Sequence, residues 1–284
     1  MIEPSRCPIC QSARVVRDFY VGEREYLRCR SCGLIYLGRI DPVQENAAYE
    51  TDAYHQLHTC HRLTLREAVF ADSLREIARV KKPGRMLDVG CGDGLFLHLA
   101  QQRGWEPYGV ELSPTACRQA REVHGVNVFC GDVRGAGFSD SFFDVVTLYN
   151  VLDHMPFPLS QLIEIHRILK AGGLLVLRVP NGLFHAGAVR RVRRLEPYLV
   201  FHLYCFTPRA VVYLLREAGY GEIHVRNSAL TPADAYSMSP VGGDRGMQVI
   251  KRAIHMAAET LWHASGHSLI VGPSLSVHAT KRDR

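Results

Sequence analysis

From Arg85 onward, short apolar runs and amphipathic stretches alternate along the chain, the pattern of a mainly parallel sheet crossed over by helices. Residues 85–89 read as a buried strand that turns through alternating glycines into a helix over 93–103. A second strand ends at Glu111, and Ser113-Pro114 then supplies an N-cap and a proline in the first turn, opening a helix to about His124 that Gly125 stops. Residues 126–130 form the third strand, the fourth lies within 142–150, and a helix over 159–170 leads through Gly172-Gly173 into the fifth, 174–179. Thr207-Pro208 repeats the capping device for a helix to Ala218. Residues 220–226 and 274–279 are the last strands, with a Ser, Pro, Gly and Asp-rich loop over 231–246 and a helix over 247–264 between them. The apolar side of that helix (Val249, Ile250, Ala253, Ile254, Ala257, Ala258 and Leu261) is expected to pack on the core. Upstream, 63–80 has helical periodicity with Leu65, Val69, Leu74 and Ile77 on its buried face, and the polar, aromatic 48–55 reads as a loop.

The 284 residues, 47% of them apolar, leave room for one large α/β domain and a smaller module. The longest apolar runs are too short to span a bilayer and the N-terminus lacks an apolar signal core, so a cytoplasmic protein without a membrane span is expected. Four of the nine cysteines fall in two close pairs, and an odd total without a secretion signal favours metal and free thiols over disulfides. Cys7-Pro8-Ile9-Cys10 and Cys29-Arg30-Ser31-Cys32 are separated by eighteen residues, the spacing of a zinc ribbon. Four thiolates leave the metal no open position, which makes the zinc structural. A ribbon of about forty residues has little core, so the metal supplies on the order of 10 kcal/mol of its folding free energy.

The densest chemistry lies at Met86-Leu87-Asp88-Val89-Gly90-Cys91-Gly92-Asp93-Gly94, a strand-to-helix junction of the kind that binds nucleotides in α/β proteins. A dinucleotide fingerprint needs a small third residue, and Leu95 occupies that position, which argues against NAD. Asp88 closes an otherwise apolar strand and requires a polar or cationic partner. Glu111, at the end of the next strand, can accept both hydrogen bonds of a ribose diol.

These motifs, with Gly109-Val110-Glu111-Leu112-Ser113, resemble the first two motifs of class I S-adenosylmethionine-dependent methyltransferases. Leu152-Asp153-His154-Met155-Pro156, Leu169-Lys170-Ala171-Gly172-Gly173-Leu174-Leu175, Val179-Pro180-Asn181 and His202-Leu203-Tyr204-Cys205-Phe206-Thr207 extend the likeness to the subgroup with an N-terminal zinc ribbon, across nearly the whole chain. The resemblance implies a Rossmann-like α/β fold with an antiparallel C-terminal strand. It implies a ribbon over 1–40, a linker and lid helix over 41–82, and a cofactor-binding methyltransferase domain over 83–284. Asp88, Gly90, Cys91 and Gly92 would hold the methionyl part of S-adenosylmethionine, Glu111 the ribose, Leu112 the adenine face, and Asp132 its exocyclic amine with Val133 beside it. Asn150 would lie beneath the sulfonium. Asp153 stands where the family usually has Glu, and Phe157 where it often has Asp.

A hydroxyl or acidic carbon acceptor calls for a base, worth about a hundredfold to ten-thousandfold. His154 and His202 are the candidates among fourteen histidines, with Asp153 as orienter or alternative base and Tyr149 or Tyr204 in support. A divalent ion on Asp153 and His154 is disfavoured because adjacent side chains diverge on regular structure. Arg190, Arg191, Arg193 and Arg194 follow the fifth strand and read either as a solvated helix face or as a clamp for an acceptor phosphate, with Tyr204 also on the substrate side. The chain is thus expected to methylate a small-molecule or sugar-containing metabolite. The alternatives are a ribosomal or transfer RNA methyltransferase, which the net charge of +6 permits, and a non-catalytic zinc-ribbon adaptor.

Overall fold

The computed structural model describes residues 5–43, 63–191, 202–228 and 245–282. The expected loop at 48–55 and nearly all of the loop at 231–246 lie outside them, as do Arg193 and Arg194. Seven strands form one sheet in the order β6-β5-β4-β7-β8-β11-β10. They are β4 (Arg85–Val89), β5 (Glu106–Glu111), β6 (Asn127–Cys130), β7 (Phe143–Tyr149), β8 (Leu169–Pro180), β10 (Tyr220–Asn227) and β11 (Ser274–Lys281). β4 to β8 run parallel, while β11 pairs antiparallel with both β8 and β10. This is the expected Rossmann-like α/β arrangement, with its antiparallel C-terminal strand inserted beside β8. β8 begins earlier than its apolar run because an irregularity in the register between Phe143 and Val145 lets Phe143 pair with Leu169.

Seven helices are described: α1 (Leu63–Ala78), α2 (Leu95–Gln101), α3 (Pro114–His124), α4 (Pro158–Ile168), α5 (Gly182–Arg191), α6 (Pro208–Glu217) and α7 (Arg245–Ala264). The capping devices act as the sequence implies: Ser113 and Thr207 accept hydrogen bonds from the amides of Ala116 and Ala210, and Gly125 closes α3 in the left-handed region. Helix α1 buries Leu74 and Ile77, and also Phe70, whose ring meets Phe96 and Tyr149. Its Ser73 hydroxyl is hydrogen-bonded to the Tyr149 hydroxyl at the end of β7. Helix α7 departs from expectation. Of its expected apolar side, Ala258 is buried while Ile254 and Leu261 stand exposed, since the helix meets the sheet at its β10 edge, where Asn227 donates to the Ala258 carbonyl.

The N-terminal residues form β1 (Val15–Val21), β2 (Arg24–Cys29) and β3 (Ile35–Leu37), an antiparallel meander. A fourth strand completes this sheet from far along the chain: β9 (Tyr204–Cys205) pairs with β3, setting Tyr36 opposite Tyr204 and Ile35 opposite Cys205. The two parts share one apolar core, in which Tyr26, Leu34, Ile35, Tyr36 and Ile40 pack in the same cluster as Leu203, Phe206, Val211 and Leu214. Burial on this scale contributes roughly 2 kcal/mol for each large side chain.

Candidate active site

The chain leaves β4 toward β5 and β6 on one side of the sheet and crosses to β7 on the other, so the carboxyl ends of β4 and β7 frame a topological switch point. Gly90, Gly92 and Gly94 all adopt positive φ there. A Cβ on Gly90 would lie 2.5 Å from Val151, whereas one on Gly92 would meet nothing within 4 Å. The turn therefore packs against the segment after β7 and leaves an open cradle at Gly92. Its amides are already used, since those of Gly90 and Cys91 donate to the Val110 carbonyl, that of Gly92 to Glu111, and that of Gly94 to the Cys91 carbonyl. A phosphate cradle needs free amides. This turn instead presents carboxylates, which suit a cationic, diol-bearing ligand.

The carboxylates are held in place by their neighbours. Glu111 accepts from the amides of Gly92 and Ser113, both at 2.9 Å, leaving each oxygen a further lone pair. Asp88 is buried and accepts from the Thr147 hydroxyl at 2.6 Å, the polar partner its position requires. Leu112 is partly exposed beside Glu111, while Val133 is buried. Asp132 caps its own turn by accepting from the Gly135 amide at 2.7 Å. The Cys91 side chain is buried, which pushes its thiol pKa well up and leaves only the backbone available to a ligand. Asn150 takes a left-handed conformation (φ 56°). Its Oδ1 accepts from buried Arg178 at 3.0 Å, while its Nδ2 is buried without a hydrogen-bond partner. An open cradle, acidic groups and an orphaned donor fit S-adenosylmethionine.

Beyond Asn150 a 3-10 turn, Leu152–His154, carries the first two base candidates. Asp153 is fully buried, which pushes its carboxyl up to about 7; its own backbone amide and the charge of Arg178 act the other way. The Nε2 atoms of His154 and His202 each lie 3.6 Å from the same Asp153 oxygen, and the two rings pack with centroids 3.7 Å apart. Adjacent side chains diverge on regular helices and strands, but this tight turn brings Asp153 and His154 together, and His202 joins them from a distant segment. Tyr26 of β2 donates to the His202 carbonyl at 3.1 Å and the Leu37 amide to that of Leu203 at 2.8 Å, so the N-terminal sheet fixes the backbone around His202. Tyr204 is buried and donates to the Pro156 carbonyl at 2.8 Å, bracing the turn from the other side.

At the far end of the N-terminal sheet, the sulfurs of Cys7, Cys10, Cys29 and Cys32 all lie within 4.8 Å of one another, with Cys7 to Cys32 at 3.6 Å and Cys10 to Cys29 at 3.5 Å. Four Zn–S bonds of about 2.3 Å in a tetrahedron place sulfurs about 3.8 Å apart, so the cluster fits zinc. The Cys29 knuckle turns at Gly33 (φ 84°), whose missing Cβ leaves room for Thr207 at the start of α6.

Of the arginine run, the described Arg190 and Arg191 are both engaged within the chain. Arg190 is ion-paired with Asp18 of β1, which also binds Arg28. Arg191, exposed, donates to the Gly187 carbonyl of its own helix. Several residues that build the site lack a motif: Tyr26, Thr147, Val151 and Arg178. For Arg178 a signal existed, a lone charge inside the apolar 174–179 strand, and for Thr147 a lone hydroxyl in the strand beside Asp88.

Residues 62–225 match the protein family described as "Methyltransferase domain". A ubiquinone biosynthesis O-methyltransferase of Cereibacter sphaeroides is 28% identical over 212 residues, covering 69% of this chain and 83% of that protein. One from Pseudomonas aeruginosa is 31% identical over 103 residues, covering 34% of this chain and 44% of that protein, so the chain spans less than half the length of this relative. Among solved structures, a SAM-dependent methyltransferase from Archaeoglobus fulgidus superposes with a TM-score of 0.52 at 21% identity, covering 76% of this chain and 94% of that one. No described helix is long and apolar enough to cross a membrane.

Proposed function

Since the chain belongs to the methyltransferase-domain family, we propose that it is an S-adenosylmethionine-dependent methyltransferase acting on a small-molecule or sugar-containing acceptor. Bound in the Gly92 cradle, the cofactor supplies a methyl group made electrophilic by a sulfonium. Asp88 and the Gly90–Gly92 backbone hold its amino-acid end, Glu111 its ribose, Leu112 and Asp132 with Val133 its adenine, and Asn150 the region nearest the sulfonium.

The observation that carries the acceptor reading is the cluster of Asp153, His154 and His202. Asp153 is fully buried while the two imidazoles are 17% and 26% exposed, so solvent reaches two basic groups over a buried acid. A buried acid beneath two partly exposed bases suits a small acceptor. The partnership of Arg190 with Asp18 supports the same choice over RNA, because it removes one charge from the densest basic run. This cluster is where the proton of the acceptor nucleophile is lost, a step worth about a hundredfold or more. Four thiolates hold one structural zinc in the N-terminal ribbon, and helix α1 serves as a lid to the domain that follows it.

Calorimetry with S-adenosylhomocysteine tests the cofactor half directly. Binding is expected, and its absence at millimolar ligand would overturn the enzyme reading. Glu111→Ala removes two hydrogen bonds to a charged acceptor, each worth about 1.5–3 kcal/mol, and is expected to raise Kd by roughly a hundredfold or more.

A further inference from the structure

We propose that Asp153, His154 and His202 form the seat of a divalent first-row cation that binds the acceptor's hydroxyl oxygen. This rests on the reading of that cluster as the acceptor site and says how it acts on a proton. One ligand atom from each residue lies within 4.8 Å of the others. Both imidazole Nε2 atoms are 3.6 Å from one carboxylate oxygen, beyond hydrogen-bond length. Metal–ligand bonds of about 2.1 Å in a tetrahedron separate the ligand atoms by about 3.4 Å. Asp153 is fully buried and neither of its oxygens accepts a hydrogen bond from another residue. A carboxylate taken out of water in that way calls for a counter-charge.

The donor set names the class of ion. Two imidazoles and one carboxylate suit Zn²⁺, Fe²⁺ or Co²⁺ rather than Mg²⁺ or Ca²⁺, and three protein ligands leave positions open for a further oxygen. The ligands are braced from behind by the Tyr26 bond to His202 and the Tyr204 bond to Pro156, the kind of support that fixes ligand orientation. A cation there lowers the pKa of a hydroxyl bound beside it, and the proton leaves to the solvent that reaches the partly exposed imidazoles. The freed oxygen pair then forms the bond to the methyl carbon while the C–S bond breaks and its electrons return to sulfur. The acceptor is thus an oxygen nucleophile.

Cobalt distinguishes this seat from the cysteine cluster. Full-length protein carrying zinc on its cysteines is titrated with Co²⁺ and followed by visible absorption. The expected result is one further equivalent with weak d–d bands and none of the intense thiolate charge-transfer bands that Co²⁺ on cysteine gives. His202→Ala and Asp153→Asn should bind that equivalent at least about a hundredfold more weakly, above the tenfold to hundredfold typical of losing an outer partner. Circular dichroism checks their folding, with His154→Gln as a third variant should the Asp153 change unfold the turn. No second equivalent in the wild type, or undiminished binding in folded His202→Ala, overturns the proposal. S-adenosylhomocysteine affinity on the same samples keeps the two readings apart. Cofactor binding without cobalt removes only the cation seat, and cobalt without cofactor binding overturns its role in methyl transfer.

Discussion

The two halves of the proposed site are built in opposite ways. In the cofactor half each group is set by its near neighbours: Glu111 is held by Gly92 and Ser113, and Asp88 by a hydroxyl on the adjoining strand. The acceptor half is assembled from three distant stretches, the β2–β3 meander, the turn after β7 and the segment at β9, tied by single hydrogen bonds from Tyr26, Leu37 and Tyr204. A site made locally folds with its own strand and helix. A site made of remote pieces depends on whatever holds those pieces together, here a four-stranded sheet with a cysteine cluster at its end.

The largest expected effect follows from that dependence. Cys29→Ser is expected to lower the zinc content by about one equivalent in elemental analysis, withdrawing on the order of 10 kcal/mol from the ribbon. Methyl transfer should fall at least a hundredfold while S-adenosylhomocysteine affinity stays within about threefold, a change under about 1 kcal/mol. Cofactor affinity that collapsed together with the metal would break the comparison and make the halves one cooperative unit. A paired test at the glycine turn comes next. Gly92→Ala costs about 1–2 kcal/mol for its left-handed backbone and should weaken cofactor binding at least tenfold, because the new methyl enters open space within the cradle. Gly90→Ala instead drives a methyl into Val151, next to the turn that carries Asp153 and His154, so it should impair both cofactor affinity and turnover. The smallest effect belongs to Tyr204→Phe. Losing its bond to Pro156 should cost about 1 kcal/mol in thermal unfolding and reduce kcat without changing cofactor affinity.

The same contrast governs what the sequence could reveal. The parallel core was legible because four of its five strands are short apolar runs stopped by Gly, Asn or Pro, and because Ser113-Pro114 and Thr207-Pro208 mark helix starts by local chemistry. Asp88, Glu111 and the glycines were legible for the same reason, as were the four cysteines by spacing. What escaped was set by pairing across the chain. Strand β9 is two residues long and has no periodicity of its own; it exists because β3 is beside it. The meeting of His202 with Asp153 depends on that pairing, and the partnership of Arg190 with Asp18 joins residues 172 positions apart. Helix α7 shows the opposite failure, a clear apolar stripe that predicts burial where the described residues leave Ile254 and Leu261 exposed.

The pairing of β3 with β9 also sets a rule for exchanging parts between related chains. A ribbon transplanted as residues 1–40 alone would arrive with its edge strand facing a foreign partner, and Tyr26 and Leu37 would meet a different backbone. The transferable unit is discontinuous, the cysteine-bearing meander together with 202–207. Chimeras that move both pieces should keep the donor's acceptor preference, whereas those that move one should inherit neither parent's.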